Sequence, residues 1–122
     1  MEKFNHDAVA LAYVKAWENA WNTDGVKATL KLYAPDSLLV GYVTAVGRSE
    51  IGTLLGGIFT QGWTKITIRV THAREANGLI LVANEYTATG SGPNAGKTLQ
   101  AKSSHVLALI EASWLSVMHT AP

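Results

Sequence analysis

The sequence contains no cysteine, which excludes disulfide bonds, thiol catalysis and cysteine-ligated zinc sites. Charged residues are also scarce, at 16% of the chain, and the formal net charge is only +1. Lysine and arginine never cluster beyond two close residues, so the electrostatic footprint of a nucleic-acid-binding protein is missing. A surface with so few charges leaves apolar area exposed, and such area often forms an interface.

Long hydrophobic runs are absent as well. No apolar run approaches the roughly 20 residues that span a bilayer, so we expect no contact with a membrane. The apolar run over residues 8–14 is short, follows acidic residues and stops at Lys15, which is unlike a secretory signal. We therefore expect a cytoplasmic protein. The length predicts a single domain over residues 1–122, small enough for dimerisation to add stability.

Hydrophobic spacing predicts two helices in the first third of the chain. Apolar residues three and four apart over residues 9–21 form one wide stripe, and Asn5 or Asp7 is placed to cap that helix. Asp24 is predicted to cap a second, shorter helix. Pro35 is predicted to stop that helix, because proline disfavours helical geometry in the residue before it.

The apolar period changes to two after residue 63, where Ile66, Ile68 and Val70 alternate with polar residues, as in a half-buried strand. The Asn77-Gly78 pair predicts a tight hairpin turn, and the strands that follow predict a curved meander. Helices on one face of a sheet give an α+β layout. The other predicted elements are a glycine-weakened helix over 49–61 and strands over 37–43, 79–89, 98–110 and 114–120.

Five short motifs follow one another along the chain: Trp21-Asn22-x-Asp24, Leu32-Tyr33-Ala34-x-Asp36, Gly47-Arg48-x-x-Ile51, Tyr86-x-Ala88-x-Gly90 and Trp114-x-Ser116-Val117-x-His119-Thr120. In these motifs the chain resembles the nuclear transport factor 2-like superfamily, in its SnoaL-like branch, over nearly its whole length. The resemblance implies an α+β, cystatin-like roll. In that roll three helices from the N-terminal half close a cone-shaped, curved antiparallel sheet. A pocket in the mouth of the cone and a homodimer packed through the sheet are also implied.

Aromatic residues are spaced so that some must face the interior of a small cone, and rings with a polar tip suit a ligand pocket. The alternative for any single ring is ordinary core packing. On strand alternation we place Asn84 and Tyr86 inside and Glu85 outside. A small apolar or aromatic ligand is therefore expected. The predicted pocket residues are Tyr13, Trp17, Tyr33, Phe59, Trp63, Asn84, Tyr86, His105 and His119, with Trp17 and Tyr33 as the leading candidates for the wall.

Two histidines on neighbouring late strands, His105 and His119, could supply a general base, or they could be structural. Alternation places His119 on one face with Leu115 and Val117. No metal is predicted, because three convergent ligands are lacking in the sequence pattern, and no cofactor is predicted either. His105 and Tyr86 are the candidate catalytic residues.

The steroid isomerase of this superfamily uses a helix-one tyrosine, a first-strand aspartate base and a protonated late-strand aspartate. A rough alignment implies Trp17, Gly41 and Ser104 at these positions, and glycine cannot act as a base, so we exclude that reaction. Whether the chain is an enzyme stays open. Three functions remain: a ligand-binding domain without committed chemistry, an acid–base enzyme (isomerase, cyclase or dehydratase type) on a cyclic or polyketide-like substrate, and a dimeric interaction module with Thr67, Arg69 and Thr71 at its interface.

Overall fold

Three helices and six strands make up residues 5–121, the part of the chain that the computed structural model describes. A 3-10 turn at Gly92–Asn94 lies in the loop between the strands Leu79–Thr89 and Thr98–Ile110. The elements in chain order are α1 His6–Thr23, α2 Val26–Leu30, β1 Tyr33–Val40, β2 Thr44–Val46, α3 Gly47–Thr60, β3 Lys65–Ala76, β4 Leu79–Thr89, β5 Thr98–Ile110 and β6 Ser113–Thr120.

All six strands belong to one curled sheet in the order β2-β1-β6-β5-β4-β3. The predicted meander β3 to β6 is antiparallel throughout, and β2 pairs back onto β1. The one parallel pair is β1 with β6, because the chain leaves β1 for the far edge of the sheet and returns beside it. The predicted α+β fold class, with three helices closing a curved sheet, is confirmed.

Helix α1 begins where the sequence predicts, at an Asn5 cap whose side chain accepts a hydrogen bond from the Ala8 amide at 3.1 Å. The predicted role of Asp24 as the cap of α2 is wrong. Asp24 ends α1 instead, and Gly25 precedes α2 with a φ of 75°. Glycine suits this place because a Cβ there would lie 3.1 Å from the Phe59 ring.

Pro35 does not stop α2, which ends earlier, at Leu30. It lies inside β1, which already begins at Tyr33. The strand tolerates this proline because the register between β1 and β6 shifts between Tyr33 and Leu38, so a missing amide proton breaks no regular ladder.

Two β-bulges decide which side chains reach the interior. In the pairing of β5 with β6 the register shifts between Val106 and Leu107, so that Ser116 and His119 are both buried. The prediction that His119 shares a face with Val117 is therefore wrong. A second bulge, in β3, leaves His72 exposed rather than on the inner face.

The core lies between the helices and the inner face of the sheet, with α1 packed on β3 and α3 on β1. Strand β4 shows the expected alternation, with Ile80, Val82 and Asn84 buried. The intervening residues, Glu85 among them, face the outer side, where Glu85 pairs with Arg69. Within residues 5–121 no helix is long and apolar enough to cross a bilayer.

Candidate functional site

A cavity of about 340 Å³ opens between the helices and the inner face of the sheet. Most of its wall is aliphatic or aromatic, and none of its lining residues is charged. Its volume and character are those of a small-molecule pocket. The apolar wall consists of Trp17, Trp21, Leu39, Leu54, Leu55, Ile58, Trp63, Ile66, Ile68, Ala88 and Leu99; the polar lining is Gln61, Asn84, Tyr86, Ser103, His105 and His119; Gly41, Tyr42, Val43 and Ala121 complete it.

Six of the nine predicted pocket residues line this cavity: Trp17, Trp63, Asn84, Tyr86, His105 and His119. The other three lie outside the lining. Tyr13 is buried with its hydroxyl donating to the Leu32 carbonyl at 2.8 Å, and Tyr33 is fully buried. Phe59 packs edge-on against Trp21, with ring centroids 5.3 Å apart.

Several parts of the wall were not predicted from the sequence, and three of them differ in the signal that they left. Helix α3 contributes Leu54, Leu55 and Ile58, whose three-and-four spacing gave a signal for a buried face but not for a cavity. Strand β5 contributes Ser103, which shares the inner face with His105 and was visible from alternation. The rim residue Tyr42 left no signal, because it is fully exposed in the turn after β1.

At the polar end of the cavity, His105 and His119 are direct cross-strand partners on β5 and β6. Their rings stack with centroids 4.0 Å apart and planes inclined by 19°. Both side chains are buried, at 5% and 7% exposure, and the Tyr13 ring meets His105 edge-on at 5.0 Å. The pair is therefore packed against protein, and it borders the cavity on one side.

The protonation of His119 follows from a chain of hydrogen bonds behind it. Trp17 Nε1 donates to the Tyr33 hydroxyl at 3.0 Å, and that hydroxyl lies 2.8 Å from His119 Nδ1. An indole nitrogen only donates, and a phenol has one proton to give. Every group in the chain is satisfied when Tyr33 donates to Nδ1, and neutral His119 then carries its proton on Nε2.

His105 has the opposite arrangement. Its Nδ1 lies 2.9 Å from Ser116 Oγ, and that hydroxyl donates its proton to the Met118 carbonyl at 3.1 Å. With its single proton committed, Ser116 accepts from His105 Nδ1–H. Neutral His105 then has a bare Nε2, which is a hydrogen-bond acceptor.

Both imidazoles are neutral at physiological pH. Burial lowers the pKa of His119 to about 4. Burial, and next the nearby His119, lower the pKa of His105 well below its usual 6.5. Burial raises the pKa of Tyr33 above its usual value, so its hydroxyl keeps its proton.

Two further polar side chains face the same cavity. Asn84 is 2% exposed, and its Oδ1 has no hydrogen-bond partner among the described residues, while its Nδ2 lies 3.4 Å from Ser103 Oγ. Tyr86 is half-buried, and burial raises the pKa of its hydroxyl. A buried acceptor without a partner is uncommon and is a place where a ligand donor would bind.

The residues of the cavity do not form a metal centre. Across the described ranges no three histidine, cysteine, aspartate or glutamate side chains are grouped closely enough to hold an ion. The two Nε2 atoms alone fall short of the three or four ligands that a zinc site uses. The hydrogen-bonding partner of His105 is a serine rather than a carboxylate, so the histidine has no acidic residue to raise its basicity.

The architecture is that of the nuclear transport factor 2-like fold, and solved structures show this directly. A nuclear transport factor 2-like protein of unknown function from Shewanella oneidensis MR-1 superposes with a TM-score of 0.80, at 13% identity over 93% of this chain and 96% of that one. A ketosteroid isomerase-like protein from Erwinia carotovora atroseptica gives 0.77, at 20% identity over 98% and 100%.

A third structure carries a ligand. It is a hypothetical protein with a ketosteroid isomerase-like fold from Catenulispora acidiphila, in complex with trimethylamine. It superposes with a TM-score of 0.63, at 19% identity over 88% of this chain and 82% of that one. No family model and no curated protein matches the sequence. These likenesses therefore establish the fold, and the chemistry has to be argued from the site itself.

The positions that the steroid isomerase reaction would need are scattered in this structure. Trp17 and Gly41 line the cavity, the latter at its rim, whereas Ser104 is exposed. Because the strand alternation of β5 turns His105 inward, its neighbour Ser104 faces the outer side of the sheet.

Proposed function

We propose that the protein binds a small, flat, uncharged molecule in the cavity. The observation that carries this proposal is a mostly apolar wall without a charged residue, closed at one end by two neutral imidazoles. An ionic ligand would lose its hydration there without gaining a counter-charge. The trimethylamine complex of the Catenulispora protein supports only the small-molecule part of the proposal, since a chain of the same fold holds a small molecule. We also propose that the protein is SnoaL-like and cytoplasmic.

A cavity-filling substitution tests this function. Ala88 is buried on β4 and lines the cavity, whereas the next residue toward the N-terminus, Thr87, faces the other side of the sheet. We expect a panel of bicyclic aromatic compounds to raise the thermal midpoint of the unaltered protein and of Thr87→Phe. Ala88→Phe, which fills the cavity, should abolish that rise. A panel that never shifts the midpoint of the unaltered protein would contradict the proposal.

An acid–base enzyme is the second candidate, favoured by the bare Nε2 of His105 at the cavity. That nitrogen would take a proton from a carbon next to a ligand carbonyl and return it to another carbon, with the Tyr86 hydroxyl as a further donor. Binding alone is better supported, because a base works best with a pKa near the working pH and the pKa of His105 is far lower. Deuterium uptake by cyclic ketones in heavy water, absent in His105→Asn, would establish the enzyme.

We further propose that two copies pair through the outer face of the sheet. One continuous cross-strand row of apolar residues lies there, formed by Leu81, Val106, Met118, Leu38 and Val46. Leu81, Met118 and Val46 are 40%, 38% and 55% exposed. Leaving this apolar surface in contact with water is unfavourable for a monomer. The predicted interface residues Thr67 and Arg69 lie on β3 away from this row, because they pair with Thr87 and Glu85, whereas Leu81 pairs with Arg74.

A further inference from the structure

We infer that the ligand carries a hydrogen-bond acceptor next to a hydrogen-bond donor on an uncharged flat frame, as a carboxamide or a lactam does. The Nε2–H of His119 would donate to its carbonyl oxygen, and the Nε2 of His105 would accept from its N–H. This inference rests on the proposed ligand-binding function and names the chemical class of that ligand.

The first support is that the two Nε2 atoms are the free ends of the pair. Both Nδ1 atoms are occupied, by Tyr33 and by Ser116. Neither Nε2 has a hydrogen-bond partner among the described residues. Both rings line the cavity while their Nδ1 atoms are bound to side chains, and from this we place the Nε2 atoms toward the contents of the cavity.

The second support is that the two free nitrogens have opposite roles which the protein itself fixes. Tyr33 gives its proton to His119, and Ser116, whose proton goes to Met118, takes one from His105. The stacked rings, 4.0 Å apart, therefore present one donor and one acceptor side by side. Neighbouring carbonyl and amide groups of one small molecule match that pair in hydrogen-bonding type.

The third support is the absence of charge around the pair. A carboxylate would set an acceptor against the bare Nε2 of His105, and an amidinium would leave the donor of His119 without an acceptor. Neither ion would find a counter-charge, because no residue lining the cavity is ionised at neutral pH. Unpaired polar groups in a buried site are costly, so both ions are disfavoured.

Asn84 independently indicates a ligand with more than one hydrogen-bond donor. Its side chain is nearly completely buried at the cavity wall, one row along the sheet from His105, and its Oδ1 is unpartnered in the described chain. A primary amide has two N–H groups, of which one suits His105, and the other would bind this buried oxygen once the Asn84 side chain turns toward the ligand. A ketone offers neither.

Four naphthalene derivatives of matched shape test the inference on the unaltered protein: the 2-carboxamide, the 2-acetyl ketone, the 2-carboxylate and the 2-carboxamidinium ion. Calorimetric dissociation constants at pH 7.5 should favour the carboxamide by about tenfold or more over each of the others. Equal affinity for carboxamide and ketone, or a preference for either ion, would overturn the inference while leaving ligand binding intact. Binding of none of the four would contradict the proposed function as well.

A matched pair of variants assigns the preference to one nitrogen. His105→Asn keeps a donor for Ser116 and removes the Nε2 acceptor, so the carboxamide should lose its tenfold advantage over the ketone. His72→Asn, on the exposed outer side of β3, should keep that advantage. A full advantage in a folded His105→Asn protein would show that the amide proton binds elsewhere. The ligand series does not depend on that variant folding.

Discussion

His105 and His119 face each other on two neighbouring strands with their rings 4.0 Å apart, and their hydrogen-bond partners assign their protons to opposite nitrogens. The arrangement depends on the bulge in the β5–β6 pairing, which brings Ser116 and His119 to the inner face together. The stacked pair therefore depends on the β5–β6 register as well as on the presence of the two histidines.

Without the Tyr33 hydroxyl, no hydrogen bond should fix the tautomer of His119. In Tyr33→Phe, Trp17 Nε1 and His119 Nδ1 both lose their partner. We expect a loss of about 1–3 kcal/mol in the free energy of unfolding, measured by urea denaturation. Tyr42→Phe is the matched control, since Tyr42 is fully exposed and should change nothing. Unchanged stability in Tyr33→Phe would mean that the chain of hydrogen bonds contributes nothing.

Stability should fall on mild acidification. An unfolded histidine binds a proton near pH 6.5, whereas folded His119 does so only near pH 4. Between these values the unfolded state holds more protons, so stability is full above pH 6.5 and declines as the pH falls. We expect roughly 3 kcal/mol of decline by pH 4 from His119 alone, of which much is visible between pH 7.5 and 5. His119→Phe should make that profile less steep, while buried His105 keeps a part of the decline; an equally steep profile in the variant would assign the whole decline to other groups.

The outer-face row predicts the oligomeric state. Leu81→Lys places a charge at the β4 end of the row, beside Val106, and should convert a dimer into a monomer in sedimentation experiments. Thr67→Lys, on the same outer side but away from the row, should leave the dimer intact. A dimer that survives Leu81→Lys and dissociates in Thr67→Lys would move the interface to β3.

Two glycines should respond oppositely to alanine. Gly25 has a φ of 75°, and a Cβ there would press on Phe59 at 3.1 Å, so Gly25→Ala should lower the free energy of unfolding by about 1–3 kcal/mol. Gly57 lies inside α3 with nothing within 4 Å of an added Cβ, so Gly57→Ala should raise it by about 0.5–1 kcal/mol. Thermal unfolding of the two variants separates backbone strain from helix propensity.

Much of the fold was predictable because local rules and tertiary structure agree. Strands β4 and β5 have the predicted bounds, and the hairpin between β3 and β4 turns at Asn77 and Gly78 with φ values of 52° and 81°. Both residue types tolerate these left-handed conformations, so the turn was legible in the sequence.

The misses occur where one extra residue or one packing layer decides the outcome. Alternation cannot reveal a bulge, so the face of His119 was predicted wrongly, and propensity cannot show that Pro35 falls in an irregular stretch of β1. Tyr33 was placed on the pocket wall, but it lies behind the wall and orients His119. Its hydroxyl lies between Trp17 Nε1 and His119 Nδ1, an arrangement that no spacing rule predicts.

The most direct test is nitrogen-15 NMR of the histidine side chains, recorded at pH 7.5 without and with naphthalene-2-carboxamide. We predict a proton on Nδ1 of His105 and on Nε2 of His119 in the free protein. Addition of the carboxamide should shift both Nε2 signals and leave the exposed His72 unchanged. The same tautomer on both buried rings, or Nε2 signals that do not move when the ligand binds, would contradict a site built on this pair.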